Sequence, residues 1–159
     1  MTVLTIRPAA PPEASTLTEL ALRSKAYWGY SEQFMAACRA ELTYSADDLR
    51  RGSFFVAEQA GALLGFYALA RHSTAEVELE ALFVEPAYIG QGYGRALIEH
   101  AKAMAKAWGA EVMIVQGDPN ARDFYLAAGG ELTGERESAS IPGRYLPTFS
   151  IWLRAVEEG

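Results

Sequence analysis

The feature that most constrains the fold is a strand that runs through a glycine-rich turn into a strongly amphipathic helix. Residues 75–84 alternate as a β-strand does, and Gly90, Gly92 and Gly94 follow before the helix is established. From Tyr93 to residue 108 apolar side chains recur at helical spacing, and a glycine then ends the predicted helix. A strand joined to a helix in this way predicts a mixed α/β domain whose turn lets a ligand approach the backbone.

The rest of the chain supplies the other elements of that domain. Upstream, we predict a short strand, two helices and the two strands of a hairpin, at residues 3–6, 13–23, 31–42, 53–59 and 62–70. Downstream, we predict a strand, a helix and two final strands separated by a loop at 138–147; these elements lie at residues 111–116, 121–128, 131–137 and 148–155. The chain shows no linker and no internal repeat. Residues 1–159 are therefore predicted to form a single α/β domain, with a central sheet flanked by about four helices.

Composition excludes several classes of protein. A net charge of −6 and a pI near 5.0 argue against a nucleic-acid binder, which carries a basic face. The single cysteine, Cys38, excludes an internal disulfide framework, and with only His72 and His100 we expect no metal site. No apolar run approaches the ~20 residues of a spanning helix, and there is no N-terminal signal pattern, so we expect a cytoplasmic protein that does not bind membranes.

The glycine turn predicts an anion site, because exposed N–H groups at the start of a helix favour a phosphate. Two familiar phosphate motifs do not fit. A Walker-type loop needs Lys-Ser/Thr after its last glycine, whereas Arg95-Ala96 follows here. The dinucleotide fingerprint needs Gly-x-Gly-x-x-Gly on a first βα unit, whereas this turn has Gly-x-Gly-x-Gly and lies in the middle of the chain. A flexible turn without a ligand is the alternative interpretation.

Residues 82–97, LFVEPAYIGQGYGRAL, closely resemble the acyl-CoA loop of the GNAT superfamily of N-acetyltransferases. The family pattern is Gln/Arg-x-x-Gly-x-Gly/Ala. Gly92 and Gly94 match it, while Ile89 stands where glutamine or arginine is usual and so removes one side-chain contact. Residues 118–125, DPNARDFY, resemble the family's second signature segment, and the order of predicted elements is the family's along nearly the whole chain.

The resemblance implies where acyl-CoA binds. In the family the fourth and fifth strands are parallel and splay apart within a mostly antiparallel sheet, and the co-substrate lies between them; here these are residues 76–84 and 111–116. The backbone of 82–84 would pair with pantetheine, the N–H groups of 91–96 would hold the pyrophosphate, and Asn120 would contact the pantetheine arm. The implied acetyl-CoA site, with no metal, consists of Leu82, Phe83, Val84, Ile89, Gly90, Gln91, Gly92, Tyr93, Gly94, Arg95, Ala96, Asn120, Phe124 and Tyr125.

Direct acetyl transfer needs a base for the attacking ammonium and an acid for the leaving thiolate. Tyr125 stands where the family usually places its general acid, and its ordinary pKa of ~10 is close to the ~8.5 of a thiol. Alternatively, Tyr125 is a core residue that only packs its helix against the sheet. Glu78 or Glu80 is predicted as the base, acting directly or through water, with acceptor binding as the alternative. Regular alternation would place Glu76, Glu78 and Glu80 on one strand face with Leu82 and Val84, and Val77, Leu79, Ala81 and Phe83 on the other.

The acceptor is expected to bind near the segment between the first two helices, which shapes the acceptor pocket in this superfamily. Trp28 and Tyr30 would contact an amine by cation–π interaction, or would simply cover the core. Arg144, in the late loop, would pair with a carboxylate of the acceptor, or would be a surface residue. We expect His72 and the exposed His100 to be structural, and Cys38 to be a packed thiol.

Three functions fit the sequence. The first is a CoA-dependent N-acetyltransferase of a small primary amine; the second acetylates protein N-termini or lysines; the third is a non-catalytic acyl-CoA sensor. Tyr125 and the glutamates favour catalysis over sensing. A short chain without a basic docking surface favours a small acceptor. The sequence is also compatible with a homodimer.

Overall fold

A computed structural model describes residues 3–153, in which a seven-stranded sheet carries helices on both faces. The strands are β1 (Thr5–Pro8), β2 (Ser53–Gln59), β3 (Ala62–Arg71), β4 (Glu76–Val84), β5 (Val112–Gln116), β6 (Gly130–Glu137) and β7 (Tyr145–Trp152). The α-helices are α1 (Ala14–Ala26), α2 (Glu32–Cys38), α3 (Ala46–Arg51), α4 (Tyr93–Ala107) and α5 (Arg122–Ala127). Within 3–153, no helix combines the length and apolarity needed to cross a bilayer.

The sheet confirms the mixed α/β class and the predicted parallel pair. Its strand order is β1-β2-β3-β4-β5-β7-β6, and β4 with β5 is the parallel pair among otherwise antiparallel neighbours. Those two strands pair only from Glu76 opposite Val112 to Leu79 opposite Val115. Beyond Leu79 they part, and a gap opens between the C-terminal half of β4 and the end of β5.

Two apolar cores hold the layers together, one on each face of the sheet. On one face α4 buries Leu97, Ile98 and Ala101 against β3 and β4, as its apolar stripe predicts. On the other face α1 buries Leu17 and Leu20. Full burial of a leucine or isoleucine side chain contributes about 1.5–3 kcal/mol. The cores therefore fix the helices against the strands whose separation forms the gap.

A β-bulge interrupts β4 at Glu80. The consecutive β3 residues Ala68 and Leu69 pair with Ala81 and Leu79, so Glu80 is an extra residue on its strand. A bulge leaves one residue unpaired and increases the local twist. In this sheet it lies where β4 leaves β5.

The bulge shifts the alternation of β4 side chains by one position. Val77 and Leu79 pack in the α4 core before the bulge, and Leu82 and Val84 pack there after it. Phe83 packs in the opposite core, against α1. The prediction of one uninterrupted alternation along β4 is therefore wrong; it placed four residues on a single face, Val77, Leu79, Ala81 and Phe83.

Several predicted boundaries also change. The helix predicted to reach residue 42 ends at Cys38. A further helix, α3, was not predicted from the sequence; it begins after a capping box at Ser45. There are thus five α-helices within 3–153 instead of about four. Strand β7 begins at Tyr145, so Pro147 lies inside it. Pro147 pairs with Glu135 of β6 and lies just beyond the last β5 pair, where its carbonyl still accepts from the Gly117 N–H. A proline is tolerated there because the ladder with β5 has ended. Ala155, the predicted end of this strand, lies outside the described residues.

Candidate active site

A cavity of about 600 Å³ occupies the gap where β4 and β5 part. Its walls come from β4, the turn before α4, the segment after β5, the ends of α1 and α2, and the loop before β7. Most residues singled out from the sequence meet there: Trp28, Glu78, Glu80, Leu82, Phe83, Val84, Ile89, Gly90, Gly92, Gly94, Arg95, Asn120, Phe124, Tyr125 and Arg144. The parting of two strands thus gathers side chains that are distant in sequence.

Four of the predicted site residues do not line the cavity. The Gln91 side chain donates to the carbonyl of residue 87, and the Tyr93 hydroxyl donates to Gln59. The Ala96 N–H donates to the carbonyl of Gly92 as the first bond of α4, so it is not available to a ligand. Tyr30 stands behind the cavity wall, where its hydroxyl is engaged by polar neighbours described below.

The start of α4 has the features of an anion site. Gly92 is the N-cap, with φ +90°, and no side chain caps the helix. A Cβ built at this glycine would meet nothing within 4 Å, so the space beside it is empty. The N–H groups of Tyr93, Gly94 and Arg95 precede the first intrahelical bond and have no acceptor in the helix. These N–H groups and the positive end of the helix dipole suit a phosphate.

Gly94 serves a different purpose. A Cβ at this position would lie 3.2 Å from the Phe124 ring, so the absence of a side chain lets α4 pack closely against α5. Phe124 in turn lines the cavity beside Tyr125. The two glycines that the sequence motif pairs therefore have separate roles, one in the open turn and one in helix packing.

Two carboxylates face the cavity from β4, and their environments differ. Burial raises the pKa of Glu80, and the charge of Glu78 raises it further. Glu78 accepts a hydrogen bond from His72, with 2.7 Å between Oε1 and Nε2. Glu80 is therefore the better candidate for a base, because a raised pKa favours proton uptake and its carboxylate is not held by the histidine.

Tyr125 projects from α5 into the wall of the cavity. Its ring is buried beside Phe149 and Phe124, and a Cβ at Gly117 would lie 3.0 Å from it. Within residues 3–153 its hydroxyl makes no hydrogen bond. Burial, and then the charge of Asp118, raise its pKa, so the phenol stays protonated and has a proton to donate.

A polar cluster that the sequence did not predict closes one end of the cavity; we call it the Asp118 cluster. The carboxylate of Asp118 accepts from Lys25 Nζ at 2.6 Å and from the Tyr30 hydroxyl at 2.8 Å. The Tyr30 oxygen accepts from Asn120 and from Arg144, each at 2.9 Å. These five residues join the α1–α2 segment, the loop after β5 and the loop before β7.

The electrostatics of the Asp118 cluster follow from its contacts. Burial raises the pKa of Asp118, but hydrogen bonds from Lys25 and the Asn120 backbone outweigh that effect and hold the pKa below its usual value. Burial, and then the hydrogen bond to Asp118, raise the pKa of Tyr30 to about 12. The Asp-Pro-Asn sequence at 118–120 is typical of a capped turn, and in the structure Asp118 accepts from the Asn120 N–H. Its partners on distant segments left no local sequence signal.

The remaining titratable residues are placed as follows. His100 is partly buried rather than exposed, because its Nδ1 lies 2.7 Å from the hydroxyl of the buried Tyr67. Cys38 is 4% exposed and contributes to the cavity wall beside Glu41. The part of the chain that the structure describes contains no cluster of three or more His, Cys, Asp or Glu arranged to hold a metal ion.

Known proteins resemble this chain in sequence and in fold. The model of the Acetyltransferase (GNAT) family matches residues 19–129. A protein of Pseudomonas phage PaMx11 named 5-NmdU N-acetyltransferase is 29% identical over 151 residues, which cover 94% of this chain and 100% of that protein.

Two solved structures have the same fold. The PaiA N-acetyltransferase of Thermoplasma acidophilum, solved in complex with coenzyme A, has a TM-score of 0.78 at 22% identity and covers 94% of this chain and 99% of its own. A GCN5-related N-acetyltransferase of Rhodopseudomonas palustris has a TM-score of 0.76 at 24% identity and covers 94% of this chain and 95% of its own. At these identities the structures establish the fold alone.

Proposed function

The chain belongs to the Acetyltransferase (GNAT) family, as the sequence resemblance predicted, and we propose that it transfers the acetyl group of acetyl-CoA directly to the primary amine of a small molecule. One observation carries this proposal. A single cavity connects the anion site at the start of α4 with a carboxylate and a buried phenol, Glu80 and Tyr125. These are the three functions that direct acyl transfer needs: a hold on the donor, a base and an acid.

The proposed donor site runs along the gap. The pyrophosphate of acetyl-CoA would bind the free N–H groups that follow Gly92, where the structure leaves open space. The pantetheine arm would run beside Leu82 to Val84, because the backbone there has left β5 and its polar groups can pair with an amide-bearing ligand. Ile89 supplies an apolar contact in place of the usual polar side chain of the family motif.

The proposed chemistry uses the two perturbed groups in the cavity. Glu80, directly or through a water molecule, takes a proton from the acceptor ammonium, so that the amine has a free electron pair for attack. The bond from nitrogen to the acetyl carbon forms and the bond from that carbon to sulfur breaks. Tyr125 donates its hydroxyl proton to the departing thiolate. The phenolate left on Tyr125 then recovers a proton, directly or through water, from the acylated nitrogen, which must lose its second proton to become the amide. Burial keeps the phenol protonated before the transfer.

The cavity supports a small acceptor rather than a protein. Its volume of about 600 Å³ must hold the end of the pantetheine arm as well as the acceptor. The Asp118 cluster closes one end, and the loop before β7 is tied across it by hydrogen bonds from Ser140 to Glu41 and from Arg144 to Tyr30. An extended peptide would need an open groove at this end.

The test is a panel of acceptors incubated with the protein and acetyl-CoA, followed both by release of free thiol and by the mass of the acetylated product. We expect small primary amines to be acetylated and peptides with free N-termini or lysines to be poor acceptors. Turnover confined to peptides would assign a protein acceptor. Tight acetyl-CoA binding without transfer to any amine would assign a sensor.

A further inference from the structure

We propose that the acceptor carries a carboxylate beside its amine, and that Arg144 binds this carboxylate. The inference rests on the proposed function and specifies the substrate class of the same cavity. It starts from the balance of charge at the closed end. There Lys25 and Arg144 both line the cavity with side chains only 14% and 19% exposed, and Asp118 is the carboxylate between them.

The negative charge of Asp118 is already matched by Lys25. Lys25 Nζ lies 2.6 Å from Asp118 Oδ2, whereas Arg144 Nη2 lies 3.6 Å from the same oxygen. The Asp118 oxygens also accept from Tyr30 and from the backbone and side chain of Asn120. Arg144 therefore shares Asp118 with Lys25 as its more distant partner, at 3.6 Å. Glu41 also lines this end of the cavity, but it is exposed and bonded to Ser140. A closer anionic partner for Arg144 would have to come from a ligand in the cavity.

The Arg144 guanidinium is held in place with most of its donors unused. Its central carbon lies 4.8 Å from the centre of the Phe34 ring and 5.3 Å from that of Tyr30, and these two rings stack on each other. It donates one side-chain hydrogen bond, to the Tyr30 hydroxyl. A guanidinium has five N–H groups in a planar fork that matches a carboxylate. The stacked rings thus orient a fork that can still bind an oxyanion.

The loop that carries Arg144 is fixed rather than free. Ser138 N–H donates to the Arg144 carbonyl at 2.7 Å, and Gly143 N–H donates to the Glu137 carboxylate at 2.9 Å. Ser140 is hydrogen-bonded to Glu41 near the end of α2. Since the side chain need not be ordered when a ligand arrives, little of the binding free energy is lost to entropy.

The opposite wall has the complementary charge. Glu78 and Glu80 face the same cavity from β4 and would attract the ammonium of the acceptor. A molecule with an ammonium toward these carboxylates and a carboxylate toward Arg144 would be oriented by both ends. An amine without an anionic group would leave the remaining N–H donors of the guanidinium without an acceptor from the ligand and would bind less tightly.

The experiment compares matched acceptors. Each pair consists of an amino acid, such as glycine, β-alanine or 4-aminobutyrate, and its carboxamide, and kcat/KM is measured from CoA release. We expect at least one carboxylate to exceed its carboxamide by about 10- to 100-fold, the range for a hydrogen bond to a charged group. In Arg144→Gln this preference should disappear, because KM should rise more for the carboxylate than for its carboxamide. Arg144→Lys, which keeps the charge but not the fork, should lie between them.

The control is Arg50→Gln, which removes an exposed guanidinium on α3 and should change neither acceptor class. Thermal unfolding and acetyl-CoA affinity establish that the Arg144 variants are folded. Carboxamides acetylated as well as carboxylates by the wild type would overturn the inference and leave the acetyltransferase function standing. If Arg144→Gln lowered kcat/KM equally for a carboxylate and its carboxamide, Arg144 would only position Tyr30 and would not bind the acceptor. No acetylation of any amine would refute the proposed function and this inference with it.

Discussion

Replacing Glu80 by glutamine should remove the base while preserving the size and polarity of the side chain. General base catalysis contributes about 10²- to 10⁴-fold, so we expect kcat/KM for an acceptor amine to fall by that factor. Acetyl-CoA affinity should stay unchanged, because the proposed pyrophosphate site lies at the start of α4, away from Glu80. The loss should ease at high pH, where more of the amine is already free of its proton.

The pH profile carries the sharper test. Burial and the charge of Glu78 raise the pKa of Glu80, and a base works only when ionised, so wild-type kcat/KM should rise as pH passes upward through that pKa. Glu80→Gln should lack this rising limb. Glu78→Gln removes the neighbouring charge, which lowers the pKa of Glu80 and moves the limb to lower pH. If Glu78 were the base, its own variant would be the one that lost the limb.

The assay is initial-rate thiol release at fixed saturating acetyl-CoA across the pH range, with Glu76→Gln as the matched control. Glu76 lies on the same strand but does not line the cavity within the described chain, so its variant should behave as wild type. A Glu80→Gln protein within twofold of wild type, with the rising limb intact, would refute the assignment of Glu80 as base. If Glu76→Gln also lowered kcat/KM, the effect would be a general one of negative charge on β4 and not specific to Glu80.

Two further predictions concern the acid and the donor site. Tyr125→Phe should lower kcat by about 10²- to 10⁴-fold while calorimetry shows wild-type acetyl-CoA affinity, and a kcat within twofold of wild type under chemistry-limited conditions would exclude the general-acid role. Gly92→Val should weaken acetyl-CoA binding, because a branched side chain would fill the open space beside the free N–H groups. Gly61→Val tests whether backbone strain alone is responsible, since this hairpin glycine also has positive φ (+81°) and open space around it; equal loss in both variants would contradict the placement.

Much of the fold could be predicted because its signals are local. The apolar stripe of α4 and the glycines before it lie within one continuous stretch, and the order of elements follows from such stretches. The proposed donor site is local for the same reason, since the N–H groups after Gly92 belong to one turn. The boundaries changed where short-range patterns are weak, as at α3, whose six residues bury only Leu49.

The acceptor half could not be predicted from neighbouring residues. The bulge at Glu80 exists because β3 and β4 pair out of step, and nothing within β4 itself encodes that pairing. In the Asp118 cluster, the hydrogen bond from Arg144 to Tyr30 joins residues that are 114 positions apart. The hydrogen bond between His72 and Glu78 likewise depends on how the end of β3 returns toward β4. These features arise from contacts between segments that are distant in the chain, and the pattern of residues within one segment does not predict such contacts.

The two edges of the sheet bear on how the protein avoids self-association. Strand β6 lies at one edge, and all but the first of its eight residues are exposed, so its outer backbone groups could template another strand. Glu131, Glu135 and Glu137 place negative charge there, and a register shift at Thr133 interrupts the regular spacing. At the other edge β1 is only four residues long and ends in Pro8. A second copy of the chain that approached β6 would meet negative charge and an irregular row of backbone hydrogen-bonding groups. A copy that approached β1 would meet a short row that ends in proline. Both edges therefore resist the growth of β-aggregates.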